Sequence, residues 1–370
     1  MQSYDDRNLD IVAFEKIIGI NEIRGLAFQI ARDRSLHWSE LEKLLVLGEN
    51  REVPVTLFAN FDVGGSLKQL PREKALEFVN RIRAIDNTGK ATAFFLLNKW
   101  AQSNDETWAS FEDFLRQMAL EDSGDILNEM KSTMDFYDWA EAILRLLKDK
   151  KDDQLASMLM RLIIDQSSEL EYFYNKEHSF FRILDFLEGN YFDIFWSNVS
   201  DLLTSHGERG MALYNLKDLL GSKHDFLQNT VGILFKGGDA HFETILEWAK
   251  NQPVNNLHWL ANMLPIYNVH PNGADDWHPY ARKFIDLFGD QREILSGIHA
   301  KLNTYSWSGS IEPKLESDVR LFEKLLDHPK KNVSKWAKAE IEDLKKRIKQ
   351  ESNRNKDGYF GDVVVSGSLG

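Results

Sequence analysis

The sequence predicts an all-α fold, an α-solenoid of stacked antiparallel helix pairs, on three observations. Apolar residues recur at spacings of three and four along most of the chain, the period of a helix with one buried face. Only 8 prolines occur in 370 residues, and strand-like alternation is confined to two isolated stretches, 53–61 and 363–365. Such isolated stretches cannot hold a sheet together. Short polar breaks return roughly every 30 to 40 residues, about the length of one helix-turn-helix unit.

The periodic segments follow in order. Trp108, Phe111, Leu115 and Met118 define one helical stripe, and Phe136, Trp139, Ala140, Ile143, Leu144 and Leu147 define the next. Leu155, Met158, Leu159, Leu162 and Ile163 continue the pattern. Leu315, Val319, Phe322, Leu325 and Leu326 form a late stripe, with Ser310 as the expected cap of a helix that tolerates Pro313 in its first turn. Val333, Trp336, Ala337, Ile341, Leu344 and Ile348 close the series with a terminal helix whose outer face is charged. Breaks fall at Lys148-Asp149, Gly189-Asn190, Gly221-Ser222, Lys250 to Gln252, Gly289-Asp290 and Asp327 to Pro329. Glycine there is expected to supply left-handed helix caps. The segment Leu216 to Gly221, followed by Phe226-Leu227, matches Phe284 to Gly289, followed by Ile294-Leu295, 68 residues on. Residues 122–135, opening on Glu121-Asp-Ser-Gly-Asp125, read as the most loop-like stretch of the first half. The expected division is helical repeats over 1–125, further repeats with a cap over 126–352, and a mobile tail over 353–370.

Composition narrows the function. No cysteine is present, which removes disulfides, thiolate zinc sites and thiol nucleophiles. No basic-then-apolar leader and no membrane-length apolar run are visible, so a cytoplasmic location is expected and no membrane partner. Net charge is −13, which opposes broad salt-driven binding to nucleic acid. The charge is uneven: between Lys330 and Lys356 stand ten Lys or Arg against four acids. That face reads as solvated, with Lys338, Lys345, Lys346 and Lys349 as the residues that would contact nucleic acid.

Three stretches bear on chemistry. Ala84-Ile-Asp-Asn-Thr-Gly89-Lys90-Ala91 approaches a phosphate-binding loop, but Ala91 stands where the magnesium-holding hydroxyl is required, so a glycine-capped helix turn is expected. His270-Pro-Asn-Gly-Ala-Asp275-Asp276-Trp277-His278 fits no metal spacing, and Asp276 reads as the cap of the following helix. No Gly-x-Ser-x-Gly nucleophile elbow appears. The expectation is no cofactor, no metal and no catalytic residue. Aromatic residues crowd residues 172–196, mostly as core, with Tyr172 and Tyr174 straddling Phe173 and hence expected in an exposed recognition patch.

At the C-terminal end, Trp307-Ser-Gly-Ser310, Pro313, His328-Pro329, Val333, Trp336-Ala337, Ile341, Leu344 and Ile348 resemble the closing helices of bacterial HEAT-like repeat regions. Similar endings occur in the C-terminal sensor regions of STAND-type NTPases used in antiphage defence. The resemblance covers about 80 residues and implies a repeat region that recognises a partner or foreign protein, with Trp307 among the contacts. The expected function is therefore a non-catalytic protein-binding scaffold or sensor. The alternatives are a nucleic-acid-binding solenoid working through the basic C-terminal helix and a helical-repeat enzyme such as a DNA glycosylase.

Overall fold

Helix after helix begins where a short polar side chain or a proline stops the preceding turn. A computed structural model describes residues 38–50, 55, 58, 71–130, 133–167, 174–205, 208–225, 228–269, 275–303 and 310–356. Among them the fold is all-α. The chain forms two compact units, residues 1–162 and 163–370.

In the first unit, α1 (Trp38–Glu49), α2 (Arg72–Arg83), α3 (Asn87–Ala101), α4 (Asp105–Glu129), α5 (Thr133–Asp149) and α6 (Asp153–Asp165, whose last turn passes the division) follow in order. Asp86 caps α3 by accepting from the Gly89 amide, Asn104 caps α4 through Thr107, and Asp152 caps α6 through Leu155. The expected stripes are buried: Trp108, Phe111, Leu115 and Met118 on α4, and Phe136 to Leu147 on α5.

In the second unit, α7 (Tyr174–Asn190), α8 (Phe192–Thr204) and α9 (Glu208–Leu220) lead into the hairpin β1 (Lys223–Asp225) and β2 (Gln228–Thr230). Helices α10 (Gly238–Ala249) and α11 (Val254–Met263) precede a second hairpin, β3 (Tyr267–Val269) with β4 (Asp275–Trp277). Then come α12 (Pro279–Phe288), α13 (Arg292–Asn303), α14 (Glu312–Glu323) and α15 (Lys331–Lys356). Alternate helices touch in series, α9 on α11, α11 on α13 and α13 on α15, and so form one row.

Hydrogen bonds repeat that step of two helices. Arg72 reaches the Ser110 carbonyl, Arg116 reaches Asp152, the Glu293 carbonyl lies 3.1 Å from the His258 ring, and Arg347 reaches Asn303, across 38, 36, 35 and 44 residues of chain. Gly297 makes one step close: a Cβ there would lie 2.7 Å from the His258 carbonyl and 2.9 Å from Ala261 Cβ.

Several expectations are corrected. Residues 121–129 are not a loop but the last turns of α4. The acids that made the stretch look loop-like are taken by neighbouring helices: Arg83 donates to Asp122 at 2.5 Å and to Glu121 at 2.6 Å, and Lys90 donates to Asp125 at 2.5 Å. Glycine caps are not left-handed: among the described glycines only Gly238 has a positive φ, 78°. Gly289 ends α12 in right-handed geometry, and a Cβ there would lie 2.5 Å from both the Ile285 carbonyl oxygen and Val333 Cγ2. The requirement is space, not φ. Asp276 does not cap α12; His278 does, accepting from the Tyr280 amide ahead of Pro279, while Asp276 pairs with Lys324. Ser310 lies one residue before the cap position, held by Ile311, and accepts from Glu312 N at 3.4 Å. Helix α15 continues to Lys356, past the expected end at 352. Of the strand candidate 53–61 only Val55 and Phe58 are described, both buried in 3-10 turns, and 363–365 lies outside the described residues.

Candidate functional site

The polar face of the α9–α11–α13–α15 row carries the strongest candidate. Two grooves of about 510 and 520 Å3 lie along it and share Arg292 and Ser296. One is bounded by Asn255 and His258 of α11 with Glu293 of α13, the other by His299 of α13 and Asn332, Lys335, Trp336 and Glu340 of α15. The helical period explains the grouping, since Arg292, Ser296 and His299 repeat at four and three residues and share one side of α13.

Glu340 anchors the inner wall. Its Oε1 lies 2.9 Å from His299 Nδ1 and accepts from Trp336 Nε1 at 2.9 Å. That bond holds the His299 imidazole above its ordinary pKa, with burial working in the opposite direction. Asn303 continues the network, with Nδ2 3.0 Å from His299 Nε2 and Oδ1 accepting from Arg347. Asp290, at the groove end, is paired with Lys330 at 3.0 Å. Arg292 and Lys335, by contrast, are exposed and make no ion pair with any described carboxylate.

Upstream on the same row is an exposed apolar patch. Met211 and Tyr214 of α9 are 60% and 45% exposed. The Lys217 ammonium sits 3.8 Å from the Tyr214 ring centre, and Trp259 of α11 meets Tyr214 edge-on at 6.4 Å. Trp259 is in turn 6.2 Å from His258, which borders the groove.

A second chemical cluster lies in the core beside this face. Tyr267 of β3 donates to Asp318 of α14, and Lys314 donates to Asp318 and, at 2.9 Å, to the Tyr267 hydroxyl. Burial pushes the Asp318 carboxyl up, against the pull of Lys314 and Tyr267. The Tyr267 bonds to Asp318 and Lys314 pin the second hairpin to α14, next to Trp277, whose Nε1 donates to the Leu321 carbonyl. The cluster reads as a staple, not as a reactive centre.

The residues singled out from sequence divide sharply. Lys338, Lys345, Lys346 and Lys349 are all exposed on α15, and none pairs with a described carboxylate. Tyr174 opens α7, its side chain outside the described residues, while Tyr172 and Trp307 lie outside them altogether. The aromatic crowd around them is mainly core, with Phe180, Tyr191, Phe195 and Trp196 buried. The phosphate-loop look-alike is a helix start: Lys90 is engaged by Asp125 and Thr88 donates to Glu129. The cap there is Asp86 rather than a glycine; Gly89 is required because a Cβ would sit 2.2 Å from the Ile82 carbonyl oxygen. Of the 270–278 stretch, 270–274 lie outside the described residues, and no metal-holding group of His, Asp or Glu occurs among those described.

Sequence reasoning missed Met211, Tyr214, Trp259 and Arg292. Tyr214 and Trp259 carried a usable signal, because each falls on the polar side of its helix, opposite Leu213, Leu216, Leu257 and Leu260.

The site therefore belongs to an all-α protein with a mixed aromatic and cationic face on one row of helices. No helix among the described residues is long and apolar enough to cross a membrane. The chain matches no protein-family model, no curated protein and no solved structure, so the face has to be read from its own chemistry.

Proposed function

We propose that this chain is a non-catalytic, protein-binding helical scaffold or sensor of the HEAT-like solenoid kind. The architecture is supported by the recurring step of two helices, bridged by side chains 35 to 44 residues apart, which is close to the unit length of such arrays. In a solenoid each pair buries its apolar face on the next, and one helix of each pair lines a continuous wall. The row α9–α11–α13–α15 is that wall.

The observation that carries the binding role is the Met211–Tyr214–Trp259 patch with Lys217 beside it. Tyr, Trp and Met are the residue types that concentrate binding energy at protein interfaces, and here Met211 and Tyr214 stand exposed beside the half-buried Trp259. A partner that buries Tyr214 and Trp259 would gain apolar contact at a cost of few ordered rotamers. Recognition of a foreign protein, as in antiphage sensors, is the biological setting this reading favours.

The test is affinity capture from host extract, after nuclease and at about 0.5 M salt so that screened electrostatic contacts drop out. The wild-type chain is compared with a Met211→Ser/Tyr214→Ala double variant. A stoichiometric protein held by the wild type and lost from the double variant is expected. Equal capture by both, or none by either, overturns the reading.

A further inference from the structure

We infer that the outer face of the last helix, together with the groove beside it, is a binding site for the phosphodiester backbone of single-stranded nucleic acid. This goes beyond the protein-binding reading and uses different residues.

The first observation is the arrangement of charge on α15. Lys331, Lys335, Lys338, Lys345, Lys346 and Lys349 fall within a stripe about 100° wide at the helical turn of 3.6 residues. From Lys331 to Lys349 the stripe is about 27 Å long at 1.5 Å per residue. Only Glu342 interrupts it. All six ammonium groups are on exposed residues, and none is matched to a described carboxylate. Other cations of the same unit are matched: Lys236 with Asp185, Lys283 with Glu243, Lys324 with Asp276 and Lys330 with Asp290. A chain with net charge −13 has carboxylates to spare, so a row left unmatched is a row open to an anion from outside.

The second observation decides which anion. No large apolar residue is exposed on α15: the exposed large hydrophobics among the described residues lie at 46, 137, 211, 214, 231 and 287. A protein interface is anchored by buried aromatic or aliphatic side chains within a polar rim, and this face has the rim without the anchor. A row of point charges suits a polymer of phosphates, where affinity comes from counterion release and needs no apolar core.

The third observation favours a single strand over a duplex. Lys335 is shared between the stripe and the groove, and across the groove stands Arg292, unmatched to any described carboxylate; the wall also holds the half-buried Trp336, with Glu340 engaged by Trp336 and His299 and Asp290 paired with Lys330. Unpaired bases carry an exposed π-face that stacks on an aromatic ring beside a cationic track, whereas a duplex hides its faces. The groove, at about 510 Å3, has room for a base. Lys335 and Arg292 would hold the phosphates on either side of it.

The experiment is fluorescence anisotropy of the full chain with an end-labelled single-stranded oligonucleotide about 20 nucleotides long, titrated at several salt concentrations. If about four to six phosphates are neutralised, log K should fall against log salt with a slope near −3 to −4. Lys338→Ala/Lys345→Ala/Lys349→Ala should weaken binding about tenfold or more at low salt and flatten the slope by about two units. Arg292→Ala/Lys335→Ala should remove the preference for single strand over duplex. These residues are exposed, and circular dichroism of each variant verifies folding. No binding at low salt, equal binding of a matched duplex by the wild type, or equally tight binding of polyglutamate would each overturn the inference. The last would point to an acidic protein segment. Loss of the captured protein from the Met211→Ser/Tyr214→Ala variant is independent of all three results, so the two readings fail separately.

Discussion

The first unit and the last helix of the second use cations in opposite ways. In the first unit Arg83, Lys90, Arg116 and Arg145 each hold carboxylates on other helices, and Arg116 also donates to the Leu146 carbonyl from a side chain only 9% exposed. On α15 six lysines face outward without a described partner. Charge turned inward and fully hydrogen-bonded fixes how helices stack. Charge turned outward and unmatched contributes nothing to the fold and is available to a ligand. One chain thus separates cations that specify structure from cations that can specify binding, and neighbour geometry, not residue type, tells them apart.

The comparison breaks most visibly on removing one member of each class. Arg116→Ala removes the guanidinium from Asp152, Glu112 and the Leu146 carbonyl, and should cost about 3 kcal/mol, as for breaking a buried pair. The Lys338→Ala/Lys345→Ala/Lys349→Ala variant should stay within about 0.5 kcal/mol of wild type, as surface changes do. Urea unfolding followed by circular dichroism measures both. Comparable losses would mean that the lysine row has a structural duty and the separation is false.

Asp152 sharpens the same point through pH. Burial raises its pKa, but the Leu155 amide and the Arg116 guanidinium outweigh burial and leave the carboxyl below its ordinary 3.8. A depressed folded pKa contributes stability that is present above the unfolded value and is lost as pH falls through the folded one. Wild type should therefore lose stability in acid more steeply than Asp152→Asn, whose cost at neutral pH is the larger.

Next in size is the approach of α11 to α13, which sets the floor of the groove. Gly297→Ala places a methyl group against the His258 carbonyl and Ala261, and should destabilise by about 1–3 kcal/mol as overpacking does. Gly189→Ala, where a Cβ meets nothing within 4 Å, is the matched control and should be neutral or slightly stabilising. A thermal melt of each variant separates the two. Equal melting temperatures would mean that α11 and α13 can part without cost, and that the groove is not a rigid feature.

How legible was this from sequence? The helical stripes were, because burying one apolar face is a local, periodic requirement: the Trp108 to Met118 and Phe136 to Leu147 stripes are buried as their spacing demands, as are Val333, Ala337, Ile341 and Leu344, while Trp336 of the last stripe is half-buried. The end of α4 was not. Asp122-Ser-Gly-Asp125 has poor helix propensity, and the ion pairs that Glu121, Asp122 and Asp125 make with Arg83 and Lys90, some 35 to 39 residues away, are not visible in the local sequence. The two hairpins were missed because three-residue strands show too little alternation to register. The lysine row could be written down from the sequence, but its lack of partners could not, since matching depends on neighbours brought in by the fold. The groove was invisible for the same reason: Arg292 and Lys335 stand 43 residues apart in the chain and share a wall only because α13 packs on α15.

The smallest effect tests whether the groove's own network behaves as electrostatics requires. His299 is held above its ordinary 6.5 first by the hydrogen bond to Glu340, with burial opposing and Asp343 and Glu340 adding attraction against Arg347. A histidine whose folded pKa is raised contributes stability that is fully present below its unfolded value and is lost as pH rises through the folded one. Stability should therefore slope downward with pH above about 6.5, by a few tenths of a kcal/mol, since the side chain is 46% exposed and solvent screens the pair. His299→Gln keeps a donor toward Glu340 and removes the titration, so its unfolding midpoint should lack that slope while the wild type shows it. The same titration bears on binding: protonated His299 adds a cation to the wall that carries Arg292 and Lys335, and oligonucleotide affinity should rise as pH falls through the same window. A wild-type profile indistinguishable from His299→Gln in both measurements would place the imidazole outside the electrostatics of the groove.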